Sequence, residues 1–255
     1  MFAWLTGRKA RYEIPEPDWR ATLDEARVVG ARPADELARL NALTAEFIAR
    51  KRFSATHDLE LDERKCRLIA VQACLPVLNL GFDWLNGWRE VIVYPGQFRV
   101  RRHDRDEDTH VVSEWDDELA GESWSHGPIV LSWADIEQDL ADPFEGFNVV
   151  IHEIAHKLDG LDGVLDGAPP LPGPARRKRW AEVMQRAYDR HVKAIGRGRK
   201  TVLDAYAAEA EDEFFAVVSE YYFTAPDVLA EHYAEVYAEF RAFYGAAPMP
   251  DGSGA

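Results

Sequence analysis

The chain has 255 residues and a mass of 28.9 kDa; 47% of the residues are apolar and 29% charged, which excludes a disordered chain. The formal charge is 30 − 45 = −15, so the mean field repels nucleic acid and excludes broad DNA or RNA binding. The only cysteines, Cys66 and Cys74, are eight apart on an expected helix, roughly 12 Å along its axis, which excludes a bridge between them and leaves reduced thiols.

In chain order, residues 1–20 are broken by prolines and read as an irregular arm. They contain no apolar stretch of the kind a secretory signal carries, and no run anywhere reaches the ~18 apolar residues of a membrane helix. The expected compartment is the cytoplasm, with no membrane partner. Pro33 to Phe53 reads as a helix, with Leu37, Leu40, Leu43, Phe47 and Ile48 on one stripe. Leu61 to Leu75 reads as a second helix, ended by Pro76. Glu90 to Tyr94 reads as a strand, Phe98 to Val112 as loop or ragged hairpin, and Ile129 to Trp133 as a second short strand.

Asp135 to Leu140 then forms a turn or two of helix, and Asn148 to Leu158 an apolar helix. Residues 159–174 are a Gly/Pro/Asp-rich loop. Ala175 to Ile195 is helical, and its basic run Arg176-Arg177-Lys178-Arg179 reads as a solvated helix start. Two more helices follow, Asp204 to Tyr222 and Pro226 to Tyr244, before a tail expected to be disordered.

The apolar helix carries His152-Glu153-Ile154-Ala155-His156. Four helical residues turn through 400°, so both imidazoles reach one metal ion. Glu153 stands beside the first ligand, where a carboxylate can hold a metal-bound water and take its proton. With only eight histidines in the chain, a chance match is rare. A catalytic zinc takes three protein ligands and keeps one open position. By spacing alone the third ligand is Glu213 or Asp162. Asp162 would complete an extended HExxHxxGxxH/D pattern, but the glycine of that pattern is replaced by Asp159. His191 and His232 read as surface or supporting histidines. Glu213 shares a helix face with Glu220, and its alternative reading is an acid favoured by a helix N-terminus. Tyr206 reads either as a packed aromatic or as a phenol that donates to an oxyanion. Orientation of a ligand histidine falls to Asp159 or Glu220.

HEIAHKLD followed by DAYAAEAEDEFFAVVSEYYF resembles the catalytic core of the Mlc titration factor A family of bacterial zinc peptidases, which is similar in turn to the protease domain of anthrax lethal factor. LDERKCRLIAVQACLPVLNLGFDWLNGWREVIVYPGQF and GPIVLSWADI extend the resemblance over most of the chain. It implies an α+β, zincin-like fold, mainly helical, with a small mixed sheet and an HExxH active-site helix. Residues 1–88 would be a helical part packed on the core, 89–245 the catalytic domain and 246–255 the tail. It implies one Zn2+ per chain on His152, His156 and Glu213, with Glu153 as general base and Tyr206 stabilising the oxyanion. It also implies aminopeptidase-type hydrolysis of peptides and binding to the repressor Mlc. Ile129–Trp133 would be the edge along which an extended peptide pairs.

Overall fold

A computed structural model describes residues 12–96 and 127–248. Its elements run α1 (Glu16–Glu25), α2 (Ala34–Arg50), β1 (Arg52–Ala55), α3 (Glu63–Cys74), β2 (Glu90–Tyr94), β3 (Ile129–Ser132) and α4 (Trp133–Ala141). They continue with α5 (Val149–Asp159), α6 (Pro174–Ile195), α7 (Glu211–Thr224), α8 (Pro226–His232) and α9 (Ala234–Tyr244). The expected loop from Phe98 to Val112 lies outside the described residues, as does most of the expected tail.

Three helices begin where a short polar side chain takes up a backbone N–H that the helix itself leaves unpaired. Asp62 accepts from Lys65 N at 2.7 Å to open α3, Ser132 from Asp135 N at 3.1 Å to open α4, and Asn148 from Ile151 N at 2.9 Å to open α5. The strands form a sheet in the order β1-β2-β3, with Val91 opposite both Phe53 and Ile129. Val91, Val93, Ile129 and Leu131 are buried, the period-2 pattern of strands with a covered face. All described strand pairs are parallel, where a mixed sheet was expected. The reason is the β1–α3–β2 crossover, which returns the chain through a helix and so cannot make a hairpin.

Helices α5 and α7 lie at the centre of the molecule. Every residue of α7 from Phe214 to Thr224 is buried, the mark of a helix covered on all sides. Trp180 of α6 stacks on Phe240 of α9 with centroids 5.3 Å apart, and closes the core on the far side of α7.

Other expectations change as well, and the helix expected from Pro33 to Phe53 ends at Arg50, with Arg52 and Phe53 in β1. The expected irregular arm contains α1, because Pro17 falls in the first helical turn, where a missing N–H does no harm. The expected helix from Asp204 is a 3-10 turn, Ala205–Ala208, followed by α7, since Ala210 is fully extended at φ −154°. The expected last helix is divided into α8 and α9 at Tyr233, whose φ of −137° is not helical.

Candidate metal centre

His152 and His156 stand one turn apart on α5, and their Nε2 atoms approach to 3.1 Å. Glu213, in the first turn of α7, brings Oε2 to 3.2 Å from His152 Nε2 and 3.5 Å from His156 Nε2. All three donor atoms lie within 4.8 Å of one another. Donors about 2.0–2.1 Å from a tetrahedrally bound zinc are separated from each other by about 3.3 Å, so the spacing fits such an ion. Glu213 Oε2 is buried and makes no well-directed hydrogen bond among the described residues. An acceptor in that state needs a cation or a donor. These residues therefore fit a metal ion.

The same side chains shift one another's protonation. Burial works against a charged His152, but hydrogen bonds to Glu213 and Glu220 outweigh it and raise its pKa to about 10. Burial also works against an ionised Glu213, and its contacts with His152 and His156 outweigh that, holding the carboxyl below the usual range.

His152 Nδ1 lies 2.9 Å from Glu220 Oε1, so Glu220 fixes which ring nitrogen faces the site. Glu220 Oε2 accepts from Asn148 N at 2.5 Å, and Asn148 Nδ2 donates to Gln72 Oε1 at 2.7 Å. A buried chain of polar groups thus runs from α3 to His152. His156 Nδ1 has Asp212 Oδ2 at 3.8 Å. Asp212 escaped the sequence reading because it sits in an acidic run at a helix start, where acids are ordinary. The Gln72–Asn148 pair carries no sequence signal.

Tyr206 is half-buried on the 3-10 turn and donates its phenol to Glu213 Oε1 at 2.6 Å. The turn is held from three sides. Asp204 Oδ1 accepts from Tyr206 N, Tyr221 OH donates to Val202 O, and buried His191 donates from Nε2 to Asp204 O. Glu153 is half-buried beside His152. Asp162 is exposed, with Oδ1 accepting from Val164 N, and lies outside the donor cluster; His232 is exposed. Of the two residues considered for orienting a histidine, Glu220 touches His152, whereas Asp159 Oδ2 accepts from Gly167 N at 2.9 Å.

A family model described as glucose-regulated metallo-peptidase M90 matches residues 2–245. The chain belongs to that family. Among M90 relatives, it is 35% identical to "Mlc titration factor A" of Escherichia fergusonii over 263 residues, covering 98% of this chain and 93% of the relative. The protein of the same name from Enterobacter sp. is 37% identical over 249 residues, 91% of this chain and 89% of the relative. That of Salmonella gallinarum is 40% identical over 226 residues, 83% and 79% respectively. An M90 metallopeptidase needs a metal, and the His152–His156–Glu213 group is fit to hold one. No helix among the described residues is long and apolar enough to cross a membrane.

Proposed function

We propose that this M90 chain is a zinc-dependent peptidase of the aminopeptidase type, with His152, His156 and Glu213 as its metal ligands. The observation that carries the reading is the meeting of those three donors beside Tyr206, whose phenol reaches Glu213 and has no use in a purely structural site; Glu153 follows His152 directly in the HExxH sequence. When bound, zinc acidifies a water and polarises a substrate carbonyl. Glu153, adjacent to His152, accepts the proton of the attacking water and returns it to the leaving amine. Tyr206 turns its phenol from Glu213 to the carbonyl oxygen as negative charge develops there. β3 pairs only with β2 among the described residues and exposes Val130, which supports it as the edge that an extended peptide joins.

A second reading rests on the name of the relatives, which speaks of the titration of Mlc. In it, the chain binds a repressor of that kind in the cytoplasm and keeps zinc only as structure. Purified protein separates the two. Expected are about one zinc per chain and hydrolysis of aminoacyl chromogenic substrates. Glu153→Gln keeps the metal and loses hydrolysis, and His156→Ala loses both. Wild-type rates in Glu153→Gln would sink the enzyme reading. A zinc-loaded wild type that binds Mlc and hydrolyses nothing would establish the second.

A further inference from the structure

Helices α5 and α7 run antiparallel past the donor cluster. Asn148 at the start of α5 meets Glu220 well along α7, while the end of α5 lies near the start of α7. The Glu220 carboxylate therefore ties the two helices on the His152 side. On the His156 side their direct contacts in the site are the 3.5 Å approach of His156 to Glu213 and the 3.8 Å approach to Asp212. A metal site needs its donors placed before the ion arrives, and something must hold this second side.

Gly167 lies where the three helices meet. Its N–H donates to Asp159 Oδ2 at 2.9 Å, and Asp159 is fully buried at the last position of α5, three residues after His156. Its carbonyl accepts from Trp180 Nε1 of α6 at 2.9 Å. Its Cα lies against the first turn of α7, where a Cβ would come within 2.5 Å of Glu211 O and 3.4 Å of Phe215 Cβ. Glu211 is two residues from Glu213, and its carbonyl is backbone, so it yields only if α7 moves. The φ of +73° excludes most side chains independently. The buried Asp159 carboxylate is held by backbone N–H groups of this loop, that of Gly167 directly and that of Ala168 beside it.

We infer that Asp159 and Gly167 form a clamp that sets the distance between α5 and α7, and that both are positioning residues for the metal donors. They touch neither metal nor substrate. The loop of residues 160–173 acts as a strap, carrying the end of the HExxH helix across to the helix that bears Glu213. This rests on the zinc reading above and adds to it residues that bring His156 and Glu213 into register.

The test is Zn2+ affinity of the full chain, measured at 25 °C by competition with a chromogenic chelator, with melting temperature alongside. Asp159→Ala and Gly167→Ala are expected to weaken Zn2+ binding 10- to 100-fold, the usual effect of losing a group that places a ligand. Asp159→Asn keeps an oxygen for the Gly167 N–H and is expected to stay within about threefold of wild type. Phe47→Leu, in the α2 packing remote from the site, is expected to lower the melting temperature and leave affinity unchanged. Asp159→Ala that binds Zn2+ like wild type overturns the clamp, as does Asp159→Asn that loses as much as Asp159→Ala, because charge would then be acting. Asp159→Asn is isosteric and expected to fold, so if Asp159→Ala does not fold, an Asp159→Asn that loses 10-fold or more overturns the clamp by itself, as does a Gly167→Ala that folds and binds Zn2+ like wild type. A wild type that binds no Zn2+, or a His156→Ala that binds it fully, removes the metal reading itself. That failure is visible before any clamp variant is measured.

Discussion

The Tyr206 phenol donates to Glu213 Oε1 while Glu213 Oε2 faces the two imidazoles, so the hydroxyl proposed to meet an oxyanion is already bonded to a metal donor. The sequence reading gave Tyr206 no part in holding the metal; its bond to Glu213 gives it one. Tyr206→Phe should lower kcat on the order of 10²-fold, the size of one lost oxyanion donor, with little change in KM. It should also weaken Zn2+ binding by about 10-fold, because Glu213 loses the donor that holds its other oxygen. Steady-state kinetics and chelator competition on the same preparation read the two effects separately. Unchanged kcat with weakened metal would make Tyr206 a ligand-orienting group only. The histidine pair was legible because it has a spacing rule, two imidazoles four positions apart on a helix, whereas spacing left the third ligand between Glu213 and Asp162 and only the family resemblance chose Glu213. Asp212 and Gly167 had no such rule. Asp212 lies among acids that a helix start attracts anyway, and Gly167 is one glycine in a glycine-rich loop whose need for a missing Cβ appears only when Glu211 O is placed beside it.

At the scale of elements, α5 must end up apolar on nearly every side and still present two imidazoles, so its start is held by polar groups rather than by solvent. Asn148 accepts from Ile151 N, Asp139 Oδ2 accepts from Val149 N at 2.7 Å, and Glu220 takes Asn148 N. Asn148→Ala removes the cap and leaves the Gln72 amide oxygen without its donor. The expected loss is about 2 kcal/mol, from a cap of ~1 and a buried unpaired group of ~1 or more. Urea unfolding of the zinc-free protein should show a lower midpoint at unchanged m. A loss below about 0.5 kcal/mol would mean that water replaces the side chain. Of the helices read in advance, α2 keeps a helical period of apolar residues through a long window, whereas α5 was read from its nearly continuous apolar run. β1 was not anticipated, because Arg52-Phe-Ser-Ala55 is short and mostly exposed, and only its pairing with β2 makes it a strand. The division at Tyr233 was missed for a related reason: the sequence there keeps a helical pattern across the break, and only the extended φ of Tyr233 separates α8 from α9.

For the whole molecule, a metal held by donors from α5 and α7 is a cross-link between the two central helices, and the folded state alone offers all three donors together. Its removal should therefore lower global stability and not merely silence the site. A ligand present at 100 times its dissociation constant stabilises the fold by about 2.7 kcal/mol. For a chain of this size that is roughly 5–10 °C in melting temperature, at about 2–4 °C per kcal/mol. Chelation should produce a drop of that order, and restored Zn2+ should reverse it. His156→Ala should melt near the chelated wild type and be indifferent to chelator, because it has already lost one of the three donors. Glu153→Gln should melt like the wild type and respond to chelator as fully, because its carboxylate is assigned to the water and not to the metal. Calorimetry of the three proteins with and without chelator gives six curves. If the wild type releases its zinc with no change in melting temperature, the ion bridges nothing, and the donors must already be held by the two ties on either side of them.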